Sequence, residues 1–159
     1  RSSDLGIWEI IYRYHGYIDK YLGDGILAIF DEQYTDDAIH AAIEIQEFIK
    51  KFQISTIGKY IEIGIGINTG NVIMGTIGTK RRMDATVVGD VVNTASRLES
   101  LTRSKDYKIL ISESTYESLM HRQLFSLHDL GDIVPRWKKE NIRIYWVDMF
   151  EKVELPEEN

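Results

Sequence analysis

The stretch Ile61-Glu62-Ile63-Gly64-Ile65-Gly66-Ile67 restricts the fold more tightly than any other part of the chain. Side chains alternate across a strand with a period of two, so the isoleucines share one face and Gly64 and Gly66 lie on the other. Such a strand has a bulky side that must be buried and a nearly bare side that something must approach closely. The same glycines, with Gly70, do not form a dinucleotide-binding loop. Their spacing is wrong, and extended Val72 to Met74 follows where a helix would have to open.

Around this strand the periodicities predict a mixture of helices and strands. Leu5 to His15 has helical spacing through Leu5, Trp8, Ile11 and Tyr12, with Gly16 expected in the left-handed position after the helix end. Tyr17 to Leu22 and Ile26 to Phe30 favour β structure, and Gly23-Asp24-Gly25 supplies the turn chemistry of an antiparallel hairpin. Asp36 and Asp37 mark a helix start, followed by Ala38, Ala41, Ala42, Ile45, Phe48, Ile49 and Phe52 at spacings of three and four. Further on, Thr86 to Val88 predicts a short strand, Asp90 to Thr102 a helix and Lys108 to Ser112 a strand. A helix then begins at Ser112 or Ser114 and runs to about Met120. Strands are expected near Phe125 to Leu130 and Ile142 to Asp148. With no repeat or linker, the reading is one α+β domain over residues 1–150 with a mostly antiparallel sheet, and an acidic tail at 151–159 containing Pro156.

The 159 residues suffice for one core-forming domain, and a hydrophobic fraction of 43% removes disordered and low-complexity alternatives. Nineteen Lys and Arg against 25 Asp and Glu leave a net charge of −6. That balance opposes a nucleic-acid partner, which needs a basic surface. The chain has no cysteine, so disulfide frameworks, thiolate metal sites and cysteine nucleophiles are excluded. A reducing compartment is compatible, and the expectation is a cytoplasmic domain, either free or part of a larger or membrane-tethered protein. No apolar run reaches the roughly 18 to 20 residues of a membrane span, so direct insertion of this domain is not expected. Because the chain opens on Arg1, it is expected to be a piece of a longer or processed polypeptide.

Three polar groups are candidates for chemistry. Lys20 lies on a predicted strand and Asp24 at the hairpin tip, where a carboxylate can reach a cation; spacing alone equally suits an exposed lysine beside an ordinary Asp-Gly turn. On the helix after Gly89, Val91, Ala95, Leu98 and Thr102 define an apolar face, and Asn93 and Arg97 stand one turn apart on the other side. This pair is either a solvated polar face or an amide and a guanidinium able to orient a ribose and neutralise charge developing on a phosphoryl group. Lys80, Arg81 and Arg82 form a basic cluster in an acidic chain, which suits a phosphate site or a solvated loop. His15, His40, His121 and His128 show no paired ligand spacing and read as structural.

Three ordered motifs carry a family resemblance. They are Gly16-Tyr17-Ile18-Asp19-Lys20-Tyr21-Leu22-Gly23-Asp24-Gly25 with Ile26 to Phe30, then Gly64-Ile65-Gly66-Ile67-Asn68-Thr69-Gly70, then Asp84-Ala85-Thr86-Val87-Val88-Gly89-Asp90-Val91-Val92-Asn93-Thr94-Ala95-Ser96-Arg97-Leu98-Glu99. Together they closely resemble the class III nucleotidyl cyclases, over about Leu5 to Val147. The resemblance implies a ferredoxin-like α+β domain that works as a head-to-tail homodimer with active sites shared between subunits. It further implies an adenylate cyclase that converts ATP to 3′,5′-cyclic AMP and pyrophosphate with two divalent cations, magnesium or manganese, in cyclic nucleotide signalling. By position in the motifs, Asp24 matches the second of two metal-binding aspartates, and Lys20 matches the residue that reads the purine edge, with Thr86 as its base-reading partner. Lys and Thr resemble the adenine-selective pairing, whereas guanine-selective members place Glu and Cys there. Asn93 would address the ribose, and Arg97 the charge of the transition state.

The sequence departs from the family pattern in two places. The first metal aspartate is expected on a strand well upstream of Asp24, and that strand and the helix after it are expected to be missing here. A neighbouring chain could otherwise fill the strand's slot, since an empty one leaves backbone groups unpaired. Near the C-terminus, Arg136 and Trp137 stand where the family often has a phosphate-binding lysine followed by glycine; Arg136 can still hold phosphate. The rival reading is a catalytically silent, cyclase-like module for dimerisation or regulation. The absent aspartate favours that rival, and Lys20, Thr86, Asn93 and Arg97 oppose it.

Overall fold

The computed structural model describes residues 2–22, 25–55, 61–78, 80–83, 89–134 and 141–149 and, within these, all side chains except those of 2–3, 20–22, 53–55, 77, 80–83 and 105. Helix α1 (Ser2–Arg13) leads into β1 (Tyr17–Leu22) and β2 (Gly25–Ile29), which pair antiparallel with Tyr17 opposite Ile29 and Leu22 opposite Gly25. The register shifts between Ile18 and Lys20, which puts Asp19 at an irregularity of the hairpin. The left-handed residue after α1 is His15, at φ 70°, and not Gly16. His15 is held there by its ring, stacked on Tyr34 at 4.4 Å, and by Nδ1, 3.1 Å from Asp37 Oδ2. Position 16 needs glycine for room instead, because a Cβ there would stand 2.5 Å from the Phe30 ring.

Helix α2 (Thr35–Ser55) carries apolar residues over a wide arc because it serves two cores. Ile39 and Ala42 meet Ile109, Ile111, Tyr145 and Val147, while Ala41, Ile45 and Ile49 meet Ile10 and Ile11 of α1 and Ile18 of β1. In the first turn of α2, the two carboxylate oxygens of Asp36 accept the backbone N–H groups of Met120 at 2.8 Å and His121 at 2.9 Å. Hydrogen bonds to a charged acceptor contribute more than neutral ones, so Asp36→Ala is expected to destabilise the fold by about 1–3 kcal/mol. Urea unfolding would show this as a lower midpoint at unchanged slope. An unshifted midpoint would mean that water replaces these bonds without loss.

The main sheet has the order β3–β6–β8–β7, with β3 at Ile65–Ile67, β6 at Ile109–Ser112, β7 at Ser126–Ile133 and β8 at Ile142–Asp148. β3 and β6 run parallel, and the other two neighbours are antiparallel. β3 is shorter than the isoleucine alternation. Its neighbour's ladder begins only at Ile109, and the Ile63 carbonyl is taken by a side chain, the Nε2 of buried Gln46 at 2.9 Å. Ile109, Leu110 and Ile111 are all fully buried, because β6 has α2 on one face and helix α3 (Asp90–Lys105) on the other. Ser112 is the cap of α4 (Glu113–Ser118), its Oγ accepting from Thr115 N at 3.3 Å.

A third pair of strands, β4 (Met74–Ile77) and β5 (Lys80–Met83), forms an antiparallel ribbon with Arg82 opposite Gly75 and Arg81 opposite Thr76. Lys80, Arg81 and Arg82 are therefore on a strand and not in a loop. Ladder pairing is a backbone property and makes no demand for apolar side chains, so a charged run can adopt it. Among the described residues, β1–β2, β4–β5 and the main sheet share no ladder, and all pairings except β3–β6 are antiparallel. The predicted strand at Thr86 to Val88 and the tail at 151–159 lie outside the described residues.

Candidate active-site helix

Helix α3 positions the described part of the site. Thr94, Leu98 and Thr102 are buried on its inner side, Leu98 packing on Leu110 and Ile144, while Asn93 and Arg97 are exposed. Four residues apart, the two polar side chains leave the helix on one side with an axial offset of about 6 Å. The helix is seated on the bare face of β3. A Cβ on Gly66 would overlap Ala95 O and Glu99 N, and one on Gly64 would overlap Thr102 Oγ1. Backbone thus meets backbone at closest approach, which sets the height of Asn93 and Arg97 above the sheet.

Of the remaining candidates, Lys20 has its backbone on β1, but its side chain lies outside the described residues, as do Asp24, Thr86 and Arg136 entirely. Among the described residues no group of three or more His, Asp or Glu side chains converges as a metal site would require. Three of the four histidines, His15, His40 and His128, pack against aromatic rings. His40 lies against Phe125 at 4.7 Å, and His128 Nε2 is 3.3 Å from Asp148 Oδ2.

A cavity of about 310 Å³ opens beside the first turn of α3, with Asn68, Asp90, Thr94, Glu113, Asn141 and Arg143 in its walls. Asn93 and Arg97 do not line it. Two carboxylates, Asp90 and Glu113, stand in its walls. Its guanidinium, Arg143, already faces Asp129 at 3.7 Å and Asp132 at 3.4 Å, and those two carboxylates raise its pKa further.

One residue of this region escaped the sequence reading. Asn68, which the sequence showed only as part of a motif, donates from Nδ2 to the Val91 carbonyl at 3.0 Å, while its Oδ1 accepts from Ser112 Oγ at 2.7 Å and Ser114 Oγ at 3.1 Å. An Asn before Thr-Gly has the same sequence signature whether it shapes its own turn or reaches another element.

The profile of the adenylate and guanylate cyclase catalytic domain matches residues 10–149. The chain belongs to this family. The cyclase domain is 46% identical over 140 residues to an adenylate cyclase of Anabaena cylindrica, covering 83% of this chain and 28% of that protein. It superposes on a bacterial light-regulated adenylyl cyclase with a TM-score of 0.77 at 27% identity, covering 96% of this chain and 45% of the other. On the non-canonical dimeric guanylyl cyclase domain of a fusion protein from the aquatic fungus Blastocladiella emersonii the TM-score is 0.70 at 31% identity, covering 92% and 79%. The α+β architecture read from the sequence is thus that of cyclase catalytic domains. No helix among the described residues is long and apolar enough to cross a membrane.

Proposed function

We propose that the chain is the catalytic domain of an adenylate cyclase, converting ATP to 3′,5′-cyclic AMP and pyrophosphate at a site shared by two copies, as a cytoplasmic module of cyclic nucleotide signalling. One observation carries this reading: an amide and a guanidinium exposed together on a helix whose height the sheet fixes. In cyclisation the ribose 3′-hydroxyl attacks the α-phosphorus, and the bond from that phosphorus to the pyrophosphate oxygen breaks. Nucleophile and leaving group belong to one molecule, so orientation is the first requirement. Asn93 orients the ribose, and Arg97 neutralises charge that grows on the phosphoryl oxygens.

Lys20 and Thr86 read the adenine edge in this proposal, and Arg136 holds phosphate. The exposure of Asn93 and Arg97 supports a homodimer, because a second copy can supply the groups that hold the nucleotide against them. The family implies divalent cations, magnesium or manganese, with Asp24 as a donor. This chain's assigned donor set is a single carboxylate and does not complete a clamp on two ions, so no step is attributed to them here. The rival reading is a silent dimerising or regulatory module.

The two readings separate in an assay of the full-length protein with manganese and either ATP or GTP. Cyclic AMP from ATP is expected, and Lys20→Glu combined with Thr86→Cys should shift the preference toward GTP. No cyclic product from either nucleotide would defeat the catalytic reading in favour of the regulatory one. A wild-type preference for GTP would defeat the assignment of Lys20 and Thr86.

A further inference from the structure

We infer that Asn68 is a positioning residue for the cyclase reaction, acting through helix α3 on Asn93 and Arg97; this rests on the catalytic reading above. Asn68 stands at the end of β3, directly after Ile67, where the strand passes beneath the start of the helix. Its Nδ2 bonds the Val91 carbonyl in the first turn of α3, two residues before Asn93 and six before Arg97. The opposite end of the same amide faces the hydroxyls of Ser112 and Ser114, and a flipped amide would set its oxygen against the Val91 carbonyl and lose the bond to α3. Ser114 Oγ also lies 2.9 Å from the Thr69 carbonyl, so its single proton is shared between that oxygen and Asn68 Oδ1, and Thr115 Oγ1 lies 2.9 Å from Thr69 Oγ1. The end of β3, the end of β6 and the start of α4 thereby form one rigid lattice, and Asn68 is its link to α3.

The α3 N-terminus needs such a link. Its cap residue is Gly89, which has no side chain to hold the first turn. Gly64, Gly66 and buried Leu98 seat the middle of the helix on the sheet, which leaves its first turn, ahead of Leu98, without a side-chain cap. A directional bond to the Val91 carbonyl holds that turn. A displacement near 1 Å at groups that act on the transition state can lower a rate by about 100-fold.

Asn68→Asp is the informative substitution, because it keeps the size and an acceptor for Ser112 and Ser114 while it replaces the donor to Val91 with a carboxylate oxygen that the Val91 carbonyl repels. Asp36→Ala serves as the control. It removes two bonds to Met120 and His121 that belong neither to this lattice nor to α3, and it should lower the melting temperature with kcat within about twofold of wild type. In an active enzyme, Asn68→Asp is expected to lower kcat by about 10- to 100-fold with KM within about threefold, and to lose most of that effect in an Arg97→Ala background. Hydrogen exchange at the amides of 94–97 should speed up in Asn68→Asp and stay unchanged in Asp36→Ala. A variant with native kcat, or one whose loss simply multiplies with that of Arg97→Ala, overturns the positioning role. If wild type makes no cyclic nucleotide, the catalytic reading fails, and exchange at 94–97 then decides alone whether Asn68 pins the helix: faster exchange supports the link, and unchanged exchange removes it.

Discussion

Arg97→Ala is expected to lower kcat for cyclic AMP formation by about 10²- to 10³-fold with a smaller change in KM, because in the proposed mechanism the guanidinium acts on charge that exists only in the transition state. The side chain is exposed on α3, so the melting transition should move by no more than about 0.5 kcal/mol in stability. A large loss of stability would mean that Arg97 holds the fold, and a raised KM at native kcat would mean that it only binds substrate. The same variant tests the shared site. Mixed with Asp24→Ala, itself expected to be inactive, it forms half of all dimers as hybrids if pairing is random. Each hybrid has one intact site of two, so about a quarter of native activity should return. No recovery, with mixing demonstrated by a tag on one partner, would place both groups on a single subunit's site and defeat the homodimer reading.

The sequence made α3 and its two faces legible because a 3.6-residue period leaves little freedom. Once Leu98 and Thr102 are directed inward, Asn93 and Arg97 have to leave on the other side. The bare face of β3 was legible for a similar reason, although what covers it was not, since Gly64 and Gly66 state only that something comes close. The left-handed residue at the end of α1 was misplaced because glycine is the usual occupant, whereas His15 is held there by Tyr34 and Asp37, neither of which is near in sequence. The same limit hid Asn68 and Asp36. A carboxylate at a helix start reads as dipole compensation, and nothing local shows that Asp36 also receives two N–H groups from a segment more than eighty positions away. The basic run at 80–82 was read by its charge, but its strand is decided by pairing with Met74–Ile77, which charge does not report.

Gly66→Ala should produce the largest combined effect on stability and activity of any single methyl group added to this domain. Gly66 is not among the residues with positive φ, so alanine meets no backbone obstacle and loses less chain entropy on folding than glycine, a gain of about 0.4–1 kcal/mol. Against that gain stands a Cβ driven into Ala95 O, Glu99 N and, at 2.9 Å, Leu98 C. These are backbone atoms of a helix and cannot rotate away, so β3 and α3 must separate. Overpacking of this kind costs about 1–3 kcal/mol and occasionally more, which exceeds the entropic gain. Gly64→Ala meets the Thr102 hydroxyl, which can turn aside, and Thr102 Cβ at 2.9 Å, which cannot, but its nearest backbone atom is 3.2 Å away, so it should be the milder change. Separation lifts Asn93 and Arg97 with the helix, so Gly66→Ala should lose far more kcat than a core variant of equal instability such as Ile39→Val, measured well below both melting temperatures. Equal losses in the two variants would show that the site tolerates movement of α3, and the close glycine contact would then serve packing alone.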